Sequence, residues 1–132
     1  MGLDNGIVMK YNPEVARIGW VKRELQVFHV GFIHNYDLCY WRKCWNVRGI
    51  IFDIVHPKAD NDTTTMLTAD QLLEIAAALK KLNKNTWYEG AGSIWSWEEV
   101  RQGIKKDIKN LKRAAKIKKK YPHTEIYFYD SW

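Results

Sequence analysis

The sequence predicts an α+β domain, with about three helices packed on a small antiparallel sheet that includes the N- and C-terminal strands. Three observations predict it. Thr68 and Ser96 each open a segment with a full helix-start signature. The two ends of the chain are rich in β-branched and aromatic residues, as strands are. The length of 132 residues suits one domain, 1–132, with a single core and no need of disulfide or metal staples.

Taken in order, Asn5 to Tyr11 reads as a short strand, and Asn12-Pro13-Glu14 as a helix cap or a turn. From Trp20 to Phe32, Val21, Leu25 and Val27 alternate with Lys22, Glu24 and Gln26, which predicts a strand. From about Asp37 to Val55 the apolar spacing is helical, and Pro57 ends that run. Asp60 to Thr65 is polar enough to predict a loop. Thr68 with Gln71 forms a capping box, with Leu67 and Leu72 at the staple positions, for a helix to about Leu82. Ser96 with Glu99 repeats the box, with Trp95 and Val100 as staple, for a helix to about Lys120. Glu125 to Trp132 closes the chain as a strand whose expected partner is the N-terminal strand.

The charge is confined to one place. The net charge is +6, yet Trp97 to Lys120 alone holds ten Lys or Arg against three carboxylates, so the remainder nets −1. At about 100° per residue, Val100, Ile104, Ile108, Leu111 and Ala115 share a core stripe. Arg101, Lys105, Lys109, Lys112, Arg113 and Lys116 form a basic ridge beside it. Gly103, Asp107, Asn110 and Ala114 form a small, nearly uncharged side able to take another packed element. The ridge suits phosphates or an acidic protein. A solvated face would look similar, because acids at the start and lysines at the end are what the helix dipole favours.

In the central segment, a helical reading places Leu38, Trp41, Trp45, Arg48 and Phe52 on one stripe. Arg48 among aromatics requires a partner: Asp4, Asp37, the carboxylate of Trp132, or an anionic ligand. Arg42, Asn46 and Gly49 would form a polar strip open to close approach. The glycine- and aromatic-rich stretch from Trp87 to Trp97 suits a mobile loop closing over a flat ligand. The expected ligand residues are therefore Tyr40, Trp41, Arg42, Trp45, Asn46, Arg48, Trp95 and Trp97.

Several classes lack support in the residues. Cys39 and Cys44 sit too far round a helix to pair with one another, and no Cys/His spacing suits zinc, so no metal or cofactor is expected. No basic-then-apolar leader opens the chain, and no apolar run is long enough for a membrane span. Asp4, Asp37, Asp53, His29, His34 and His56 supply acid–base groups, but no spacing among them demands an active site.

Three stretches resemble a family of small phage and prophage proteins: Met1-Gly2-Leu3-Asp4-Asn5-Gly6-Ile7, the run from Tyr40-Trp41-Arg42-Lys43 to Arg48, and the ending Tyr127-Phe128-Tyr129-Asp130-Ser131-Trp132. The resemblance implies a phage-linked accessory protein acting in the cytoplasm of a bacterial host, in a setting where countering host defence is common. It carries no catalytic residue with it. Residues and resemblance together predict a non-enzymatic binding module for an anionic, nucleotide-like small molecule. The alternatives are an inhibitor that docks its basic helix on an acidic host protein, and a nucleic-acid binder. Oligomeric state is left open, a homo-oligomer included.

Overall fold

The computed structural model describes residues 4–30, 33–57, 63–87 and 95–131. The chain runs β1 (Asp4–Lys10), α1 (Pro13–Ala16), α2 (Gly19–Glu24), β2 (Val27–Val30), β3 (Ile33–Arg42), α3 (Trp45–Val55), β4 (Thr63–Met66), α4 (Ala69–Lys80), α5 (Trp97–Lys120) and β5 (Ile126–Ser131). The strands form one antiparallel sheet in the order β2-β3-β1-β5-β4. The N-terminal strand is the central one, and Asp4 pairs with Arg42 on one side and Ser131 on the other.

Alternation sets the two faces of the sheet. Ile7 and Met9 lie opposite Phe128 and Ile126, and all four belong to one core cluster. Val15, Val21, Val47, Leu72 and Leu111 join it, one from each helix in turn, so the helices form a second layer over that face. Gly6, Val8, Tyr127 and Tyr129 point the other way. The α+β architecture with both terminal strands in an antiparallel sheet is as the sequence predicts.

Local chemistry explains the helix starts. Thr68 accepts from the Gln71 backbone N–H while Gln71 accepts from that of Thr68. Ser96 and Glu99 repeat the exchange. Asn12 caps α1 by accepting from the Val15 N–H at 2.8 Å, with Pro13 at the first helical position. The helix α3 stops at His56, whose left-handed backbone (φ 52°) precedes Pro57.

Three expectations need correcting. Residues 37–42 are not the start of a helix; they complete β3, and α3 begins only at Trp45. The cause is a β-bulge: Ile7 faces Cys39 but Val8 faces Asp37, so Leu38 is an extra residue. Tyr36, Cys39 and Trp41 thereby share a face, and the resulting spacing of three imitates a helix. Of the strand expected over 20–32, the first part is instead the six-residue helix α2, which buries Val21, while 27–30 do form the strand β2 and 31–32 lie outside the described residues. Thr63–Met66 is a strand, held by pairing with β5, where a polar loop was expected; residues 60–62 lie outside the described residues.

The centre of the sheet leaves no room at Gly6. A Cβ there would collide with the Cys39 carbonyl oxygen and sit 2.8 Å from the Tyr129 hydroxyl. Gly6→Ala is expected to destabilise the fold by about 1–3 kcal/mol, measured as a lowered midpoint in urea unfolding with an unchanged slope.

Candidate functional site

The bulge at Leu38 brings β3 against the small-residue side of α5. Asn110, itself buried, donates from Nδ2 to the Leu38 carbonyl at 3.0 Å. Trp41 donates from Nε1 to one carboxylate oxygen of Asp107 at 2.9 Å, and the Cys39 thiol donates to the Asp107 carbonyl at 3.9 Å. The packed element that this side of α5 accommodates is therefore a strand. Cys39 and Cys44 are both free and buried, and burial raises the Cys39 thiol's pKa far above its ordinary range.

Beside this seam lies a pocket of about 310 Å³. Its aromatic walls are Tyr40, Trp41, Trp87 and Trp95. Trp95 is fixed from both sides: its Nε1 donates to the Arg42 carbonyl at 2.9 Å, and its own carbonyl accepts from Trp87 Nε1 at 2.8 Å. The residue as a whole remains 38% exposed. Arg42 is exposed, and among the described residues its side chain makes no ion pair or hydrogen bond. Gly103 lines the pocket from inside α5, with nothing within 4 Å of where its Cβ would stand. A glycine inside a helix costs about 1 kcal/mol relative to alanine, and here it keeps the pocket open.

Two carboxylates border the pocket. Glu99 is engaged in the Ser96 capping box. Burial pushes the Asp107 carboxyl up to about 7, against the hydrogen bond from Trp41, which favours its charged form. Asp37 adds to the rise and Lys106 opposes it. Burial also raises Asp37, which lines the neighbouring cleft with Asp107.

Of the eight ligand residues expected from sequence, Tyr40, Trp41, Arg42 and Trp95 meet in this pocket. Trp45, Asn46, Arg48 and Trp97 do not line it. The polar strip of Arg42, Asn46 and Gly49 does not form, because Arg42 belongs to β3 and the other two to α3. Trp97 packs its ring against Trp87 at 6.0 Å and lines the groove between α4 and α5. Residues 88–94 of the expected aromatic loop lie outside the described residues. Trp87, Gly103 and Asp107 were not among the expected ligand residues. The available signal for Asp107 was a lone carboxylate on the small side of a basic helix.

Arg48 is held internally by Asp130, a residue not among the partners the sequence suggested. Its Nε and one Nη donate to both Asp130 oxygens at 3.0–3.2 Å, and its guanidinium stacks on Phe52 at 4.0 Å and Trp45 at 5.2 Å. The Trp132 carboxylate lies outside the described residues. The basic ridge also divides. Arg113 pairs with Glu24 at 2.7 Å and stacks on Trp20, drawing it toward α2, while Arg101 pairs with Glu98. Lys105, Lys109, Lys112 and Lys116 are exposed. Of the acid–base set, Asp53, His34 and His56 are exposed, Asp4 accepts from the Tyr40 hydroxyl, and the side chain of His29 is outside the described residues.

Among the described residues no helix is long and apolar enough to cross a membrane. Comparisons with family models, curated proteins and solved structures find no match. The chemistry of the pocket must therefore be read from its own residues.

Two measurements follow from these carboxylates. Asp130→Ala removes the buried carboxylate from a largely buried ion pair (side-chain exposure 16% for Arg48, 0% for Asp130) and is expected to cost about 3–5 kcal/mol. The double variant Arg48→Met/Asp130→Leu should lie closer to the native chain, which a double-mutant cycle by chemical unfolding would show. For Asp107, the folded value of about 7 lies above the ordinary 3.8. Between them the folded chain keeps a proton that the unfolded chain has released. That contribution to stability is full below the window and is lost as pH rises through it. Asp107→Asn should thus gain on the native chain as pH rises from about 4 to 7, by on the order of 1 kcal/mol per unit, in urea midpoints taken across that range.

Proposed function

We propose that the pocket between β3 and α5 binds a mononucleotide-like ligand, making the protein a binding module rather than an enzyme. The observation that carries this is the meeting of Trp41, Trp87 and Trp95 with the exposed Arg42 and the largely buried Asp107 around one opening. Indole rings offer flat faces for a heteroaromatic ring. Arg42 offers a two-pronged donor for phosphate. The Asp107 carboxyl, with one oxygen engaged by Trp41, offers the other to ring N–H groups. A volume of about 310 Å³ is at the small end of ligand sites. It suits one base with its sugar and phosphate better than a dinucleotide.

In the cell, this reading makes the protein a phage-linked accessory factor in the bacterial cytoplasm that sequesters a host nucleotide and so blunts a defence signal. The sequence resemblance supports that setting, and the pocket supports the ligand class.

The test is a thermal-shift panel of the four ribonucleoside monophosphates and their nucleosides. At least one nucleotide at about one hundred times its Kd should stabilise the chain by about 2.7 kcal/mol. Arg42→Ala should erase the preference for nucleotide over nucleoside. Gly103→Leu should abolish the shift while leaving the unliganded chain at least as stable, since its side chain enters open space and removes a helical glycine. A panel that moves the melting temperature nowhere would remove the reading.

A further inference from the structure

Outside the pocket, a groove of about 380 Å³ lies between α4 and α5. Its floor is Leu79, Leu82, Trp97, Ile104 and Ile108. Leu79 and Ile104 are buried, while Leu82, Trp97 and Ile108 are only half-covered. Lys80 on one wall faces Arg101, Lys105 and Lys112 on the other, and no described lining residue is acidic. Arg101 has Glu98 as a partner, but among the described residues Lys80, Lys105 and Lys112 make no ion pair. An apolar floor between cationic walls is complementary to a helix with an apolar stripe flanked by carboxylates. From Arg101 to Lys112 the groove runs about 16 Å along α5, or three helical turns.

We propose that this groove docks an acidic amphipathic helix of another protein. The floor distinguishes this occupant from nucleic acid. It is mostly aliphatic, so it offers bases a single ring to stack on, and three of its four cations are lysines, which lack the planar fork that grips phosphates and base edges. Docking buries Leu82, Trp97 and Ile108 and gives the three unpaired ammonium groups counter-charges across both walls. The basic ridge thus acts as one wall of a two-sided site, to which α4 contributes Lys80 and Leu79. The groove shares only Ile104 with the aromatic pocket, so the two sites stand or fall separately.

The experiment is a fluorescence-anisotropy titration of the full chain against labelled peptides of about 14 residues, a little over three turns. One carries Leu and Phe at helical i, i+3, i+4 and i+7 positions with Glu elsewhere. The second is a scramble of the same composition, and the third replaces each Glu by Lys. The acidic amphipathic peptide should bind about tenfold or more tighter than either control. Lys105→Glu/Lys112→Glu, at exposed positions, should weaken it by about tenfold and improve binding of the Lys peptide. Circular dichroism should show the variant folded. Ile108→Gln should weaken the acidic peptide while leaving its salt dependence unchanged. Equal binding of amphipathic and scrambled peptides, or indifference to the charge reversal, overturns the proposal. So does a single-stranded oligonucleotide that binds tighter than the peptide and is lost in the same charge-reversed variant.

Discussion

The extra residue at Leu38 governs how the sheet meets the helices. Without it, strict alternation from Tyr36 would turn Cys39 and Trp41 to the helix-free face. With it, both turn inward opposite Ile7 and Asn5. Trp41 then reaches Asp107, and the carbonyl that the bulge removes from the ladder is taken by Asn110. The aromatic pocket exists because the strand slips by one residue and α5 supplies the two polar side chains that make the slip tolerable. A bulge without Asn110 would leave a buried carbonyl unsatisfied, at a cost of about 1–3 kcal/mol.

Asp130 and Asp107 show how surroundings divide one side-chain type between two roles. Both sit among aromatic residues between the helices and the sheet, Asp130 on β5 and Asp107 on α5. Asp130 meets a guanidinium held flat on Phe52, and its two oxygens are both engaged. The Asp107 carboxyl receives only an uncharged indole N–H among the described residues, so burial prevails and the proton stays on nearly to neutrality. The first arrangement fixes α3 to the last strand. The second leaves a group able to donate or accept at the edge of an opening.

The parts of the fold legible in sequence are those decided over three or four residues. The capping boxes at Thr68 and Ser96, the stripe from Val100 to Ala115 and the alternating Ile126 to Asp130 all depend on neighbours in the chain. The parts that were not legible depend on distant ones. The strand β3 was disguised by its bulge, the edge strand β4 has polar side chains and is held by backbone pairing with β5, and α2 is too short for a period to show. The candidate site follows the same division. Tyr40, Trp41, Arg42 and Trp95 stand out by chemistry, since aromatics beside an arginine invite a ligand wherever they lie. Trp87, Gly103 and Asp107 matter only because α5 crosses β3, and Arg48 found Asp130 82 positions away.

The place of β1 at the middle of the sheet has a consequence in time. Its first neighbour, β3, is made within some thirty residues, but its second, β5, comes only after α5. Until residues 126–131 leave the ribosome, one edge of the strand with the most buried run of side chains is open to solvent and to other chains. Closing a loop that joins Asp4 to Ser131 is a late and entropically costly event. During synthesis the nascent chain is therefore a half-built sheet with one unpaired backbone edge. The last element to emerge before the missing strand is α5, with ten Lys or Arg against three carboxylates.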